Sequence, residues 1–244
     1  MGETTRDAIY RNPDEAGAPF EFNARVAEVF PDMIRRSVPG YARTLEEIRR
    51  LAGHVVRPGS VCYDLGCSLG AATLAMRHGI ACDDAGIVAV DNSPAMIDKC
   101  RELIAADGSP VPVEIRLGDL RETPVADASL VVLNYTLQFV PPPDRSALLR
   151  RLRSGMNDGA VLVLSEKVRF ADPVLDALFV GLHHDFKRDN AYSELEISRK
   201  RAALEDVLIP DTSETHLQRL RQAGFRHAAC WMQELNFASF VAVV

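Results

Sequence analysis

A glycine-rich turn beginning with an acidic residue follows the first predicted strand, in Asp64-Leu-Gly-Cys-Ser-Leu-Gly70. Glycine lets the backbone approach a ligand closely, and open α/β sheets bind ligands outside the carboxyl ends of their strands. The string lacks the Gly-x-Gly-x-x-Gly fingerprint of dinucleotide-binding proteins, which disfavours NAD. A tight turn without any ligand is the structural alternative for this motif.

Three further polar residues stand after later predicted strands. Asp91 ends the second strand about one βα unit after the glycine turn, where an acid can accept hydrogen bonds from two ribose hydroxyls. It could instead cap the next helix, although Ser93 followed by Pro94 suits that role as well. Asp119 follows the third strand and Asn134 ends the fourth, and both positions also suit simple turns.

Strands and helices alternate through the middle of the chain. Apolar strands are predicted at residues 60–64, 86–91, 113–117, 128–134 and 159–165, with helices at 71–77, 94–104 and 144–156. This alternation predicts a parallel sheet covered by helices on both faces. Residues 23–57 are predicted to form a helical cap before the sheet, broken into short pieces by Pro31 and by Pro39-Gly40.

The pattern changes after Glu166. Residues 172–208 are predicted to form a helical insertion, and another helix at 214–222 ends before Gly224. The last two strands, 226–234 and 236–244, are too close for a helical crossover, so we expect an antiparallel hairpin at the sheet edge. Residues 1–22 are expected to form a mobile arm, which leaves residues 23–244 as a single domain.

Composition narrows the classes of function. The 244 residues suffice for one α/β domain, and the net charge of -6 argues against direct binding of nucleic acid through its phosphates. No apolar run reaches the roughly 18–20 residues of a membrane span, and the first 20 residues lack the apolar core of a signal peptide, so we expect a cytoplasmic protein. The five cysteines include no Cys-x-x-Cys pair, so neither disulfides nor a metal site is expected.

Together these features resemble the class I methyltransferases, which bind S-adenosylmethionine on a Rossmann-like α/β fold. That fold has five parallel strands and a terminal antiparallel hairpin. In it, an acid placed like Asp119 contacts the adenine amino group, and the backbone of the next residue lies beside the ring.

A closer resemblance, to the carboxy-S-adenosyl-L-methionine synthase family, covers about residues 20–243. It is carried by long and unusual strings. They are Arg25-Val-Ala-Glu-Val-Phe-Pro-Asp-Met-Ile-Arg-Arg-Ser-Val-Pro-Gly-Tyr41, Tyr63-Asp-Leu-Gly-Cys-Ser-Leu-Gly-Ala-Ala-Thr73, Asp91-Asn-Ser-Pro-Ala-Met-Ile97, His183-His-Asp-Phe-Lys-Arg188 and Tyr192-Ser-Glu-Leu-Glu-Ile-Ser198.

The resemblance implies an enzyme that converts S-adenosylmethionine and prephenate to carboxy-S-adenosylmethionine and phenylpyruvate. It also implies a homodimer and a functional link to a tRNA carboxymethyltransferase, which uses the product at the wobble uridine. By matching motif, the cofactor contacts are Tyr41, Gly66, Cys67, Ser68, Asp91, Asn92, Asp119, Leu120, Asn134 and Arg201. Arg201 is expected to hold the new carboxylate, because a guanidinium fork binds carboxylates bidentately.

Alternatives exist for the residues of the insertion. Without the family match, Arg201 would be a surface arginine on a helix over residues 194–206. Tyr192, His183 and His184 are expected to shape the prephenate side, the histidines as core or hydrogen-bonding residues. Adjacent histidines point in different directions, which disfavours a shared metal.

Two other functions fit part of the sequence. A conventional methyltransferase acting on tRNA or on a small molecule explains residues 60–165 equally well, but not the match in residues 183–201. A non-catalytic module that holds S-adenosylmethionine is the second alternative, and an NAD dehydrogenase is more distant.

Overall fold

A seven-stranded sheet forms the centre of the computed structural model, which describes residues 5–11 and 19–244. The strands are β1 (Val61–Leu65), β2 (Gly86–Asp91), β3 (Val113–Leu117), β4 (Ala128–Asn134), β5 (Met156–Lys167), β6 (His227–Glu234) and β7 (Phe237–Val243). Their order is β3-β2-β1-β4-β5-β7-β6. β1 to β5 are parallel, and β7 is antiparallel to β5 and β6, as the sequence predicts.

Helices cover both faces of this sheet. They are α1 (Ala24–Ser37), α2 (Tyr41–Val55), α3 (Ala71–Gly79), α4 (Pro94–Ala106), α5 (Pro142–Ser154), α6 (Pro173–Asp189), α7 (Glu194–Leu204) and α8 (Ser213–Gln222). None of those in the described part of the chain is long and apolar enough to cross a membrane.

The direction in which the chain leaves each strand creates a crevice. α2, α3 and α4 pack on one face of the sheet, whereas α5 and α8 pack on the other. The helices after β1 and β2 therefore lie on the face opposite to the helix after β4. Since β1 and β4 are neighbours, a crevice opens at their carboxyl ends, which is the usual ligand site of such sheets.

The burial of the central strands explains why the carboxyl edge of the sheet, where the crevice opens, is well defined. Every residue of β4 except Asn134 is buried, and β5 is buried from Ala160 to Glu166. Valine and leucine dominate both strands, as expected where helices cover the two faces of a parallel sheet. Packing on both sides fixes where each strand ends, and so fixes the polar residues that follow.

The helical cap differs from the prediction at one proline. Pro31 lies inside α1 and does not break it, whereas Pro39-Gly40 does separate α1 from α2. A proline within a helix costs about 3 kcal/mol. The buried face of α1, which includes Val26, Val29 and Met33, offsets that cost by packing against the domain.

Part of the predicted arm is packed against the domain. Asp7, Tyr10 and Phe20 are buried, and the Phe20 amide donates a 3.0 Å hydrogen bond to the Ala203 carbonyl at the end of α7. The rest of the expected mobile arm, residues 1–4 and 12–18, lies outside the described residues. The described segments therefore form part of the wall beside the crevice.

Candidate active site

A cavity of about 710 Å³ opens at the carboxyl ends of β1, β2 and β4 and extends beneath α1, α2 and α6. Nine of the ten predicted site residues line it. They are Tyr41, Gly66, Cys67, Ser68, Asp91, Asn92, Asp119, Leu120 and Asn134. Residues that are far apart in the sequence thus meet at one edge of the sheet. The tenth, Arg201, is not among the lining residues.

The turn after β1 can be built only with glycine at its first position. Gly66 has φ +82°, and a Cβ placed there would overlap the side chain of Thr136. Gly70 has φ +84°, and its Cβ would lie 2.8 Å from the Cys100 sulfur. Both positions have left-handed backbone and no room for a side chain. The turn is therefore held tight against the loop after β4.

Asp91 links the glycine turn to the next strand. Its two carboxylate oxygens accept 2.9 Å hydrogen bonds from the amides of Ser68 and Ser93. Burial raises the pKa of this carboxyl, while the backbone donors oppose that effect. The Ser93 hydroxyl caps α4 by accepting from the Met96 amide, so the helix does not need Asp91 as its cap. Each Asp91 oxygen keeps a lone pair for a ligand hydroxyl.

Two buried oxygens on the cavity wall have no hydrogen-bond partner within the described residues. They are Oδ1 of Asp64 at the end of β1 and Oδ1 of Asn134 at the end of β4. The other Asp64 oxygen accepts a 2.6 Å bond from the Thr73 hydroxyl, and burial raises the pKa of Asp64 to about 6. Unpaired buried acceptors are costly, so both atoms point to a ligand that donates hydrogen bonds.

The cavity lining also includes a carboxylate in a tight ion pair. Asp119 accepts from Nη2 of Arg121 at 2.7 Å and from its Nε at 3.0 Å, and this pairing lowers the pKa of Asp119. The Leu120 carbonyl accepts a 2.7 Å bond from Arg151. The Asp119–Leu120 backbone is thereby fixed at the mouth of the cavity.

Aromatic and thiol groups line other parts of the cavity. Tyr41 and Tyr135 have ring centroids 6.0 Å apart, and burial raises the pKa of each phenol. The Cys67 thiol is buried beside Cys100, and its pKa is also raised. These groups are therefore neutral at pH 7 and do not compete as nucleophiles with any ligand chemistry.

The structure separates the three residues expected to shape the prephenate side. His183 lines the cavity, and its Nε2 lies 2.8 Å from the Ser37 carbonyl, so that nitrogen carries the proton. Burial lowers the pKa of His183 to about 2, which leaves the ring neutral and weakly basic. Tyr192 instead donates a 2.5 Å bond to the buried Asp7, and neither Tyr192 nor His184 is among the cavity-lining residues.

Sequence reasoning missed several polar residues of this site. Lys167, Lys187 and Lys200 line the cavity, and the buried Glu166 accepts 2.8 Å bonds from the amides of Leu137 and Gln138, behind its wall. Burial raises the pKa of Glu166 to about 8. The one signal for Glu166 and Lys167 is that they end β5 on the edge where the other strands place their polar residues. Lys187 and Lys200 lie on helices whose cavity-facing side the sequence pattern does not reveal.

Comparison with known proteins identifies the family. A relative named carboxy-S-adenosyl-L-methionine synthase, from Trichlorobacter lovleyi, is 54% identical over 97% of this chain and 98% of its own length. Another of that name, from Klebsiella pneumoniae, is 52% identical over 98% of this chain and 96% of its own. The chain belongs to the carboxy-S-adenosyl-L-methionine synthase family. A profile described as a methyltransferase domain also matches residues 62–159.

Solved structures confirm the predicted fold. A putative O-methyltransferase from Nostoc punctiforme has a TM-score of 0.62 at 16% identity, with 91% of this chain and 60% of that one covered. Human N-acetylserotonin methyltransferase in complex with SAM has a TM-score of 0.59 at 16% identity, with 97% and 57% covered. This chain thus spans about three fifths of their length. At this identity the likeness concerns the methyltransferase fold alone.

We predict that Gly66→Ala destabilises the turn and weakens ligand binding. Left-handed backbone costs an alanine roughly 1–2 kcal/mol, and the overlap with Thr136 adds to that cost. Urea unfolding measures the loss of stability, and calorimetry with S-adenosylhomocysteine measures the loss of affinity, which should exceed tenfold (roughly 1.4 kcal/mol).

Gly108→Ala is the matched control, since a Cβ there meets open space in the loop after α4. It should leave affinity unchanged, and it should leave the free energy of unfolding unchanged or raise it by about 0.4–1 kcal/mol. Adding Thr136→Ala to Gly66→Ala should recover part of the loss by removing the overlapping atoms. If Gly66→Ala alone bound and unfolded like the wild type, the described turn geometry would be wrong.

Proposed function

We propose that this enzyme converts S-adenosylmethionine and prephenate to carboxy-S-adenosylmethionine and phenylpyruvate. S-adenosylmethionine is its substrate, and carboxyl transfer to the methyl group makes it a transferase. The observation that carries the proposal is the family match, which runs through the helical insertion as well as the methyltransferase core. A conventional methyltransferase would not require that insertion to match.

The reaction follows from the chemistry of a sulfonium. The positive sulfur acidifies the methyl group, because removing a methyl proton leaves a stabilised ylide. Prephenate loses its ring carboxylate as CO2 and its ring hydroxyl as hydroxide, which makes the ring aromatic. The ylide carbon forms a bond to CO2, and the methyl proton and the hydroxide form water. A closed cavity favours capture, because CO2 meets the ylide before it escapes.

Three features of the cavity support binding of S-adenosylmethionine. The ribose hydroxyls are assigned to Asp91, whose position at the end of β2 suits them. Adenine is assigned to Asp119 and Leu120 at the mouth, and the methionine ammonium to the unpaired oxygens of Asp64 and Asn134. Each group of the ligand then meets an acceptor or backbone already fixed by the sheet.

No described histidine on the cavity wall suits the removal of the methyl proton. His183 is the histidine that lines the cavity there, and its low pKa makes it a poor base. The hydroxide released by prephenate is a far stronger base and forms inside the same cavity. The proposal therefore uses this hydroxide as the base and needs no protein group for that step.

Arg201 is proposed to bind the new carboxylate. Its side chain is exposed on α7. It is close enough for its charge to lower the pKa of Lys167 and Lys187, which line the cavity, and of His184 beside them. Its guanidinium has no ion pair or hydrogen bond to another described residue. A planar fork near the cavity suits a carboxylate, although its exposure places it outside the lining.

We expect the purified protein to produce a form of S-adenosylmethionine heavier by one CO2, and only when prephenate is present. Mass spectrometry of the small molecules measures this product. Arg201→Ala and Arg201→Lys should both lose most of it, because lysine keeps the charge but not the bidentate fork. Both should still bind S-adenosylhomocysteine. An unchanged cofactor with folded wild-type protein would refute the proposal, and methyl transfer to added tRNA would favour the conventional alternative.

A homodimer is part of the proposal. α6 carries an exposed apolar stripe at Val174, Leu178 and Leu182, spaced by four residues, with Leu175 beside it. Such contiguous exposed apolar surface marks interaction sites. The same helix supplies His183 and Lys187 to the cavity, so a second copy packed on α6 would hold this wall of the site in place.

We predict that Leu178→Glu yields a monomer, measured by size-exclusion chromatography with light scattering. Leu117→Glu is the matched control, because Leu117 is equally exposed, at 53%, but lies on β3 at the far edge of the sheet. The control should stay dimeric. The Leu178→Glu monomer should also lose most carboxylation activity. A wild-type monomer, or a Leu178→Glu dimer, would show that this surface is not the interface.

The wider role is proposed from the family. The product would serve a tRNA carboxymethyltransferase that modifies the wobble uridine, in the cytoplasm, without this chain binding the tRNA itself. The net charge of -6 supports the last point, because proteins that grip nucleic acid present basic surfaces.

A further inference from the structure

Lysine is distributed unusually in this chain. It has only four lysines among 28 basic residues: Lys99, Lys167, Lys187 and Lys200. Lys99 is exposed on α4 and pairs with Glu102 at 2.7 Å. The other three line the cavity. Arginine thus carries most of the positive charge of this chain, and three of the four lysines lie at one site.

Lys200 has its partners within the protein. Its ammonium donates a 2.9 Å hydrogen bond to the Ser37 hydroxyl and lies 3.7 Å from the buried Asp7 carboxylate. It also lies 5.3 Å from the centre of the Tyr192 ring. These contacts account for its burial, and they tie α7 to α1 and to the segment that contains Asp7.

Lys167 and Lys187 differ, because their ammonium groups form no hydrogen bond or ion pair within the described residues. Lys187 is only 8% exposed, and Lys167 is partly buried at the end of β5. Burial lowers the pKa of both, that of Lys187 to about 7. A buried ammonium without a counter-ion is costly. The arrangement is explained if an anion occupies the cavity beside them.

The surroundings of these two amines are cationic or neutral. The charges that lower the pKa of Lys187 belong to Lys167 on β5 and to Lys200 and Arg201 on α7. His183 and His184 lie near it on α6, and the charge of Lys187 lowers the pKa of both. The carboxylates nearby serve other partners. Asp176, whose charge raises the pKa of Lys167, accepts a 2.9 Å hydrogen bond from the Phe170 amide. Asp7 pairs with Lys200.

Apolar rings lie on the residues beside these two lysines, because Phe237 pairs with Lys167 across β5 and β7, and Phe186 precedes Lys187 in α6. Phe186 and Phe237 line the same cavity, the Phe237 ring is 4.9 Å from His183, and Val38 and Tyr135 pack against it. This end of the cavity therefore combines two unpaired cations with a surface for a flat ring. Asp91 and Asp119, the residues assigned to adenosine, bond to the Ser68 amide and to Arg121 and not to these amines.

We propose that Lys167 and Lys187 form the receptor for the carboxylates of a dianionic cyclic co-substrate, holding its ring beside the sulfonium. This inference rests on the proposed function, which supplies prephenate as that co-substrate. Two cations match its two carboxylates, and its ring meets the apolar wall. On binding, each ammonium gains a counter-ion and each carboxylate of the ligand gains a cation.

The test is calorimetric titration of prephenate into the protein saturated with S-adenosylhomocysteine, which has no methyl group to react. Lys167→Met and Lys187→Met should each weaken prephenate binding about tenfold or more, because an ionised partner is lost. Affinity for S-adenosylhomocysteine should not change. Lys99→Met is the matched control and should change neither affinity, and Lys187→Arg should retain part of the prephenate affinity.

Stability separates this role from a structural one. Replacing an unpaired buried ammonium by methionine of similar length should leave the free energy of unfolding unchanged or raise it. A lysine that supported the fold would lose stability when replaced. Lower stability of both methionine variants, with prephenate affinity unchanged, would overturn the inference.

The pH dependence gives a further readout. An ammonium binds an anion and a neutral amine does not, so prephenate affinity should fall as pH rises from about 7 towards 9, through the pKa of Lys187 in the free protein. Anion binding raises that pKa, so protons should be taken up on binding. In Lys187→Met the fall with pH should become shallower. An identical pH profile in the variant would contradict the assignment of Lys187.

The outcomes distinguish the receptor from the synthase reaction. If the wild type forms the carboxylated product and both methionine variants keep its KM for prephenate, the receptor is refuted and the reaction stands. If the wild type binds prephenate through these lysines without forming product, the receptor stands and the reaction is refuted. A wild type that neither binds prephenate nor forms product refutes both.

Discussion

The order of the sheet is the constraint on which the site depends. β1 and β4 are neighbours, but the helices that follow them leave towards opposite faces, so a space is left between the described residues at their carboxyl ends. Three of the strands that end there carry a polar residue at or next to the carboxyl end, against the cavity. Asp64, Asp91 and Asn134 occupy those positions, and the cavity forms around them.

The tight turn at Gly66 turns this opening into a specific site. Its contact with Thr136 joins the loop after β1 to the loop after β4 across the crevice. Asp91 then fixes the turn from the side of β2 through the Ser68 amide. Three loops are held together by sterics and by backbone hydrogen bonds, so the acceptors are in place before any ligand binds, which lowers the entropic cost of binding.

The sequence predicted the fold well because its signals are local. Apolar strands, the glycine turn and the Ser93-Pro94 helix start each depend on a few adjacent residues, and the structure confirms all of them. Pro31 was misread because the packing of α1 outweighs the local cost of a proline within the helix. Such an effect depends on distant contacts, which a local pattern does not contain.

The site was predicted in part for the same reason. Residues at the carboxyl ends of parallel strands, such as Asp91 and Asn134, lie on the same edge of the sheet. The alternation of strands and helices in the sequence already predicts that arrangement. Lys187 and Lys200 come from helices of the insertion, and their common wall exists only once α6 and α7 pack on α1. The role of Arg201 is still a prediction from the family, since its side chain is exposed and outside the cavity lining.

Capture of prephenate-derived CO2 within the cavity is the central claim, and an isotope experiment tests it most directly. Prephenate labelled with carbon-13 in its ring carboxylate would be supplied with S-adenosylmethionine, unlabelled bicarbonate and carbonic anhydrase, which exchanges any CO2 that escapes. Mass spectrometry would then follow the label. If CO2 is captured before it leaves the cavity, carboxy-S-adenosylmethionine will carry the label of prephenate. Product without the label, or no carboxylated product at all, would contradict the claim.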